Sequence, residues 1–109
     1  MEYKRIYNLK RSNVPPPDTE HKRFRHAFNA LPTKVDLRDK LPPVYDQGPL
    51  GSCTAQAGAA AYSFVSSKPP NPSKLFLYYN ARLLGDPKWV LEDSGASLYH
   101  LIVGMEQFG

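Results

Sequence analysis

The sequence predicts a mainly helical body of three helices joined by short extended segments, and three observations predict it. Eleven prolines in 109 residues cluster at 15–17, 42–43 and 69–72, where they punctuate the chain instead of forming one disordered tract. The stretches between the later clusters carry apolar residues at helical spacing. A residue suited to capping a helix N-terminus precedes each of them.

Residues 1 to 30 are polar, basic and without clean periodicity, and SNVPPPDTEHKR within them reads as extended or irregular chain. This stretch is expected to be an N-terminal extension, separate from a body over 31–109. From Leu31 the character changes, and LPTKVDLRDKLPPVYDQGPLGS reads as short extended pieces and turns around Val35, Leu37, Val44 and Tyr45. Ser52 to about Val65 is alanine-rich and free of proline, with Ser52 as the expected N-cap; despite Gly58 it reads as a helix able to pack closely. A second helix is expected from about Ser73 to Gly85, with Phe76, Tyr79 and Leu83 at helical spacing. A third is expected from Ser94 or Gly95 to Phe108, where Leu98, Leu101, Ile102 and Met105 form one apolar face expected to be buried. Trp89, Tyr78 and Tyr79 read as packing residues.

The net charge of +4 belongs to the N-terminal part: residues 1 to 40 hold ten Lys and Arg against five Asp and Glu. Those charges are interrupted by acids and prolines, with no nucleic-acid-reading motif beside them, so a solvated arm is expected over nucleic-acid binding. One cysteine cannot form an internal disulfide, and MEYKRIYNLKRS has no apolar leader, so a cytoplasmic setting is favoured and no membrane partner is expected. No His, Cys and carboxylate cluster has metal-ligand spacing and no glycine-rich phosphate loop precedes a helix, so neither metal nor cofactor is expected. Asp46, Glu92 and Asp93 read as turn and cap residues.

The chemistry concentrates in YDQGPLGSCTAQAGAAAY, residues 45 to 62. A lone cysteine among alanines is ordinarily a small buried residue. Cys53, however, falls in the first turn of its helix, where unpaired N–H groups and the positive end of the dipole favour a thiolate. Gly48 and Gly51 would leave the approach to its sulfur free of side chains. Gln47 could fold back to offer its amide to a developing oxyanion, beside the backbone N–H of Cys53.

The string of Val35, Asp36, Leu37, Arg38, then Val44, Tyr45, Asp46, Gln47, Gly48, then Gly51, Ser52 and Cys53 before an alanine-rich helix resembles the start of the mature domain of papain-like cysteine peptidases. The resemblance runs from about Leu31 to Gly109 and is strongest in DQGPLGSC. PSKLFLYYNAR is similar to the family's second helix, and EDSGASLYHLIVGMEQFG to the turn and helix that follow. The resemblance implies an α+β papain-like fold, of which this chain would be the helical left lobe, with Cys53 as nucleophile and Gln47 as oxyanion-hole glutamine. It implies a peptide or protein substrate and thiol-protease hydrolysis. The Asp-Ser-Gly run is similar to microbial or viral members. Two departures stand out: Leu50 replaces the usual cysteine three places before the nucleophile, and Thr54 replaces the usual aromatic after it. The extension is too short, and lacks the helical pattern, for the cathepsin-like inhibitory propeptide.

Such chemistry needs a histidine within hydrogen-bond reach and an Asn or Asp to orient it. In this family they lie roughly 130 to 150 residues beyond the cysteine, further than Gly109. His100 sits in a run with helical spacing, and His21 and His26 lie in the irregular arm, so none is expected to be the base. The His-bearing lobe is therefore an expected missing partner, and the piece is expected to be inactive alone. The rival readings are a non-catalytic truncated relative serving as a binding module and a basic interaction protein acting through its arm.

Overall fold

A computed structural model describes residues 6–11, 32–67 and 71–109. Its body is a cluster of three mutually packed helices: α1 (Cys53–Ser66), α2 (Lys74–Gly85) and α3 (Leu98–Phe108). A 3-10 turn at Arg38–Lys40 precedes α1, and a second, Pro87–Leu91, joins α2 to α3. The expected extension boundary at residue 30, and His21 and His26, lie outside the described residues.

Each helix begins where a polar side chain can satisfy an orphan N–H, with one exception. Ser73 Oγ accepts from Phe76 N at 3.2 Å, and Ser97 Oγ accepts from His100 N at 3.2 Å. Ser52, the expected cap of α1, does not cap with its side chain. It is fully buried, and its Oγ instead accepts from Gln56 Nε2 at 3.2 Å. The helix after it ends at Ser66 and is capped by Ser67, whose φ of 52° lies in the left-handed region and whose N–H donates to Ser63 O.

The third helix starts at Leu98, later than Ser94 or Gly95, and a long-range contact explains the delay. Gly95 has a φ of +74°, and Ala96 forms a parallel bridge with Leu9, with Lys10 N donating to Ala96 O at 3.0 Å. Residues committed to that pairing cannot enter a helix, so the helix waits for Ser97. Thus residues 6–11, part of the expected extension, run directly against the helical body.

The core is small: Ala55, Ala59, Leu77, Tyr78, Ala81, Ala96 and Leu101. Alanines on α1 and α2 let the helix axes approach, and Tyr78, wholly buried, supplies most of the bulk. On α2 the buried face is Leu77, Tyr78, Asn80 and Ala81; Phe76 and Tyr79 from the expected series are exposed, and Leu83 is half-buried. On α3 only Leu101 of the expected face is buried, while Leu98 and Ile102 are exposed and Met105 is half-buried. Leu98, Ile102 and Met105 line an open apolar trough whose other wall is Ala57, Ala61, Tyr62 and Val65 of α1. The burial expected of that face holds for Leu101 and in part for Met105, while the described residues leave Leu98 and Ile102 uncovered.

Gly58 lies where α1 meets α3, and a Cβ there would come within 2.5 Å of Leu101 Cδ2. Replacing it should force the helices apart. Gly58→Val is expected to cost roughly 1–3 kcal/mol through overpacking, read as a lower urea midpoint at unchanged slope. A midpoint equal to the parent's would show that α1 and α3 do not pack as described.

Candidate functional site

The site is built on the chain just before α1. Asp46 Oδ1 accepts from Gly48 N at 3.0 Å, a local turn that reverses the chain, and Gly48 supplies the φ of +62° such a turn requires. Asp46 is thus the turn residue expected of it. The reversal brings Gln47 back over its own chain, where Nε2 donates to Leu50 O at 2.8 Å. The same amide nitrogen donates to Ile6 O at 2.8 Å. Both hydrogens of the Gln47 amide are therefore engaged, one within the loop and one by the N-terminal segment.

Leu50 O belongs to the Leu50–Gly51 peptide, and the other end of that peptide is held too. Gly51 N donates to the Asp93 carboxylate, at 3.0 Å to Oδ1 and 2.9 Å to Oδ2. Tyr78 OH donates to Asp93 Oδ1 and accepts from Gly95 N at 2.9 Å. Asp93 thereby links the loop before α1, the middle of α2 and the turn before α3. Asp93 is the turn residue expected of it, but its carboxylate does not cap locally: its partners lie far away along the chain. Arg82 fixes the same turn from α2, its Nη1 donating to Glu92 O at 2.6 Å while its guanidinium stacks 4.0 Å over the Tyr78 ring.

Cys53 is the first residue of α1, a free thiol and half-buried. Thr54 behind it is buried, as is Ser52 before it. Gln47 and Cys53 are thus on the same loop-to-helix junction, held by the gripped peptide that stands three residues before the cysteine. The space above Gly51 is not the open approach expected there. A Cβ on Gly51 would lie 2.9 Å from Asn8 Nδ2 and 3.0 Å from Asp93 Oδ1. Asn8 also fills the space above Gly95, where a Cβ would meet its carbonyl oxygen at 1.8 Å, and its Nδ2 donates to Asp93 O at 3.2 Å. Lys10, two residues on, places its ammonium 3.8 Å from the Trp89 ring centroid. Gly51 and Gly95 are required by the close approach of Asn8, whereas the space above Gly48 is open.

His100 stands in the first turn of α3 with Nδ1 2.9 Å from Ser97 Oγ and its ring against Gly85 and Tyr99. Its Nδ1 serves the helix cap, in keeping with its reading as a helix residue. No group of three or more His, Cys, Asp or Glu side chains with metal-binding geometry occurs among the described residues, and none of the described helices is long and apolar enough to cross a membrane.

The chain is 46% identical over 69 residues to an uncharacterized peptidase C1-like protein of Acanthamoeba polyphaga mimivirus. The likeness is to peptidase C1, at the level of family resemblance. The match takes in 59% of this chain but 22% of the viral relative, so the chain spans about a fifth of that protein's length. No protein-family model matches the chain, and no solved structure matches it.

Asn8, Tyr78 and Asp93 were not legible as site residues from the sequence. The one local signal near them is EDSGAS, where Asp93 stands two residues before Gly95 in a proline-free turn.

Burial, reinforced by the bond to Asp93, pushes the Tyr78 phenol from 10.0 up to about 12, with the Gly95 N–H and Arg82 acting in the opposite sense. In the unfolded chain this phenol ionises first, so its contribution is complete below pH 10 and is lost as pH rises to about 12. Tyr78→Phe should therefore flatten the decline of the urea midpoint across that window while lowering stability at neutral pH. An unchanged decline would separate Tyr78 from the Asp93 cluster.

Proposed function

We propose that this chain carries the nucleophile and one oxyanion donor of a papain-like cysteine peptidase, with Cys53 attacking a peptide carbonyl and Gln47 stabilising the oxygen. The observation that carries the reading is the pinned Gln47 amide. It is held by Leu50 O at the junction that begins α1 with Cys53. A donor fixed before the reaction stabilises developing charge without reorganising at the transition state. The likeness to a peptidase C1-like protein supports the same class.

In the proposed step the sulfur forms a bond to the carbonyl carbon and the π pair moves to oxygen. That oxygen would take the place now held by the Ile6 carbonyl and accept from Gln47 Nε2 and from the Cys53 N–H. Protonation of the leaving amine requires an imidazole that neither His100 nor the arm supplies on this reading. The histidine would come from outside these 109 residues, in the lobe that would complete an α+β papain-like fold. Substrate is proposed to be an extended peptide or protein segment.

A second reading, a binding module without catalysis, has one observation of its own. Residues 6–11 already lie extended against Ala96 and use the donor that catalysis would need. On that reading the groove holds extended backbone without cleaving it.

A peptidyl aldehyde separates the two, because Cys53 can add to it and leave the oxygen on the oxyanion donors. The 109-residue chain is expected to capture the aldehyde reversibly, to lose capture in Cys53→Ala, and to bind it at least about tenfold more weakly in Gln47→Ala. It is expected to hydrolyse no peptide unaided. Equal aldehyde binding by Cys53→Ala would overturn the peptidase reading in favour of the binding module. Turnover abolished by His100→Ala would overturn the assignment of the base to another segment.

A further inference from the structure

The Leu50–Gly51 peptide is gripped at both ends, and the two grips differ in kind. Its carbonyl accepts from Gln47 Nε2, whereas its N–H donates to the Asp93 carboxylate. A peptide group is planar, so the direction of its N–H fixes the direction of its C=O. Whatever aims the Gly51 N–H therefore also aims the acceptor on which the Gln47 amide rests. We infer that Asp93 is a positioning residue for the Gln47 oxyanion donor, acting across the Leu50–Gly51 peptide plane. The inference rests on the peptidase reading for the role of Gln47 but not for the mechanical coupling itself.

Three features make Asp93 suited to this. Its carboxylate accepts the Gly51 N–H with both oxygens, and a charged acceptor makes a stronger bond than a neutral one. It is itself aimed: Tyr78 OH donates to Oδ1 from the fully buried ring of α2. The backbone beside it is held as well, with Arg82 on Glu92 O and Asn8 on Asp93 O. The chain of restraint thus runs from the core, through the Tyr78 hydroxyl and the Asp93 carboxylate, to the peptide plane and Gln47. The need for it follows from the sequence, since Cys53 is the one cysteine of these 109 residues and no disulfide within them can tie this loop. A loop containing Gly48 and Gly51 and lacking a covalent tie needs another restraint to stay in one conformation.

The test compares Asp93→Ala with Asp93→Asn in the 109-residue chain and follows two readouts. The first is hydrogen exchange of the Gln47 side-chain amide by NMR, with the Ala81 and Leu101 backbone amides as reference for the helical core. Asp93→Ala should accelerate Gln47 exchange by roughly tenfold, about one hydrogen bond's worth, without accelerating the references. Asp93→Asn, which keeps one oxygen facing Gly51, should restore most of the protection. Unchanged Gln47 exchange, or equal acceleration at Ala81 and Leu101, overturns the inference, the latter because Asp93 would then merely support the fold. If Asp93→Ala does not fold, Tyr78→Phe makes the comparison: it keeps the ring and removes the hydroxyl that aims the carboxylate, and absence of any selective acceleration at Gln47 overturns the inference.

The second readout is capture of the peptidyl aldehyde against alkylation of Cys53 by iodoacetamide, which needs no oxyanion donor. Asp93→Ala should weaken aldehyde capture by about tenfold while leaving alkylation unchanged. Equal loss in both reactions contradicts positioning. If the parent chain captures no aldehyde, the peptidase reading fails, and Gln47 exchange alone still decides whether Asp93 positions the amide.

Discussion

One peptide group, Leu50–Gly51, organises the candidate site. Its carbonyl supports the Gln47 amide and its N–H is held by Asp93, so the loop entering α1 is fixed on both sides of a rigid plane. Hydrogen bonds at the surface of a small protein are individually modest, because water competes for every partner. These gain from connection to the interior through Tyr78, whose ring is fully buried and whose hydroxyl both donates to Asp93 and accepts from Gly95. A single aromatic residue of α2 thereby ties the cysteine's loop to the turn before α3.

That arrangement explains two glycines and an asparagine at once. Asn8 fits over Gly51 and Gly95 only because neither carries a Cβ, and it brings residues 6–11 close enough for Leu9 to bridge Ala96 and for Ile6 to reach Gln47. The basic stretch is therefore not wholly a solvated arm: its residues 6–11 use backbone and one amide side chain, with Lys10 over Trp89 as the contribution of charge.

What could be read from the sequence was what is local. Alanine-rich spacing, the helix start near Ser73 and proline punctuation suffice to place three helices, because each signal acts within a few residues; the cap expected at Ser52 and the start expected at Ser94 or Gly95 did not hold, and Ser97 caps α3 instead. The Asp46, Gly48 turn was legible for the same reason. Gln47 and Cys53 stood out as a pair through the motif they share. Asp93 did not, because its partners Gly51 and Tyr78 are brought to it only by the folded body, and locally it is an ordinary turn residue two places before Gly95. The later start of α3 has the same origin, since Ala96 pairs with a residue near the other end of the chain. Periodicity marks Leu98 and Ile102 as one apolar face, but burial of that face depends on what lies against it, which spacing does not encode.

The central claim is that the Leu50–Gly51 peptide is held fast from both sides in the native chain, and the Gly51 amide reports on it directly. Hydrogen exchange at neutral pH should find that amide far slower than that of Val44, which is fully exposed six residues from Leu50 in the same connecting segment. A Gly51 amide exchanging as fast as that of Val44 would mean that the Asp93 grip does not persist in solution, and the account of the site would fail with it.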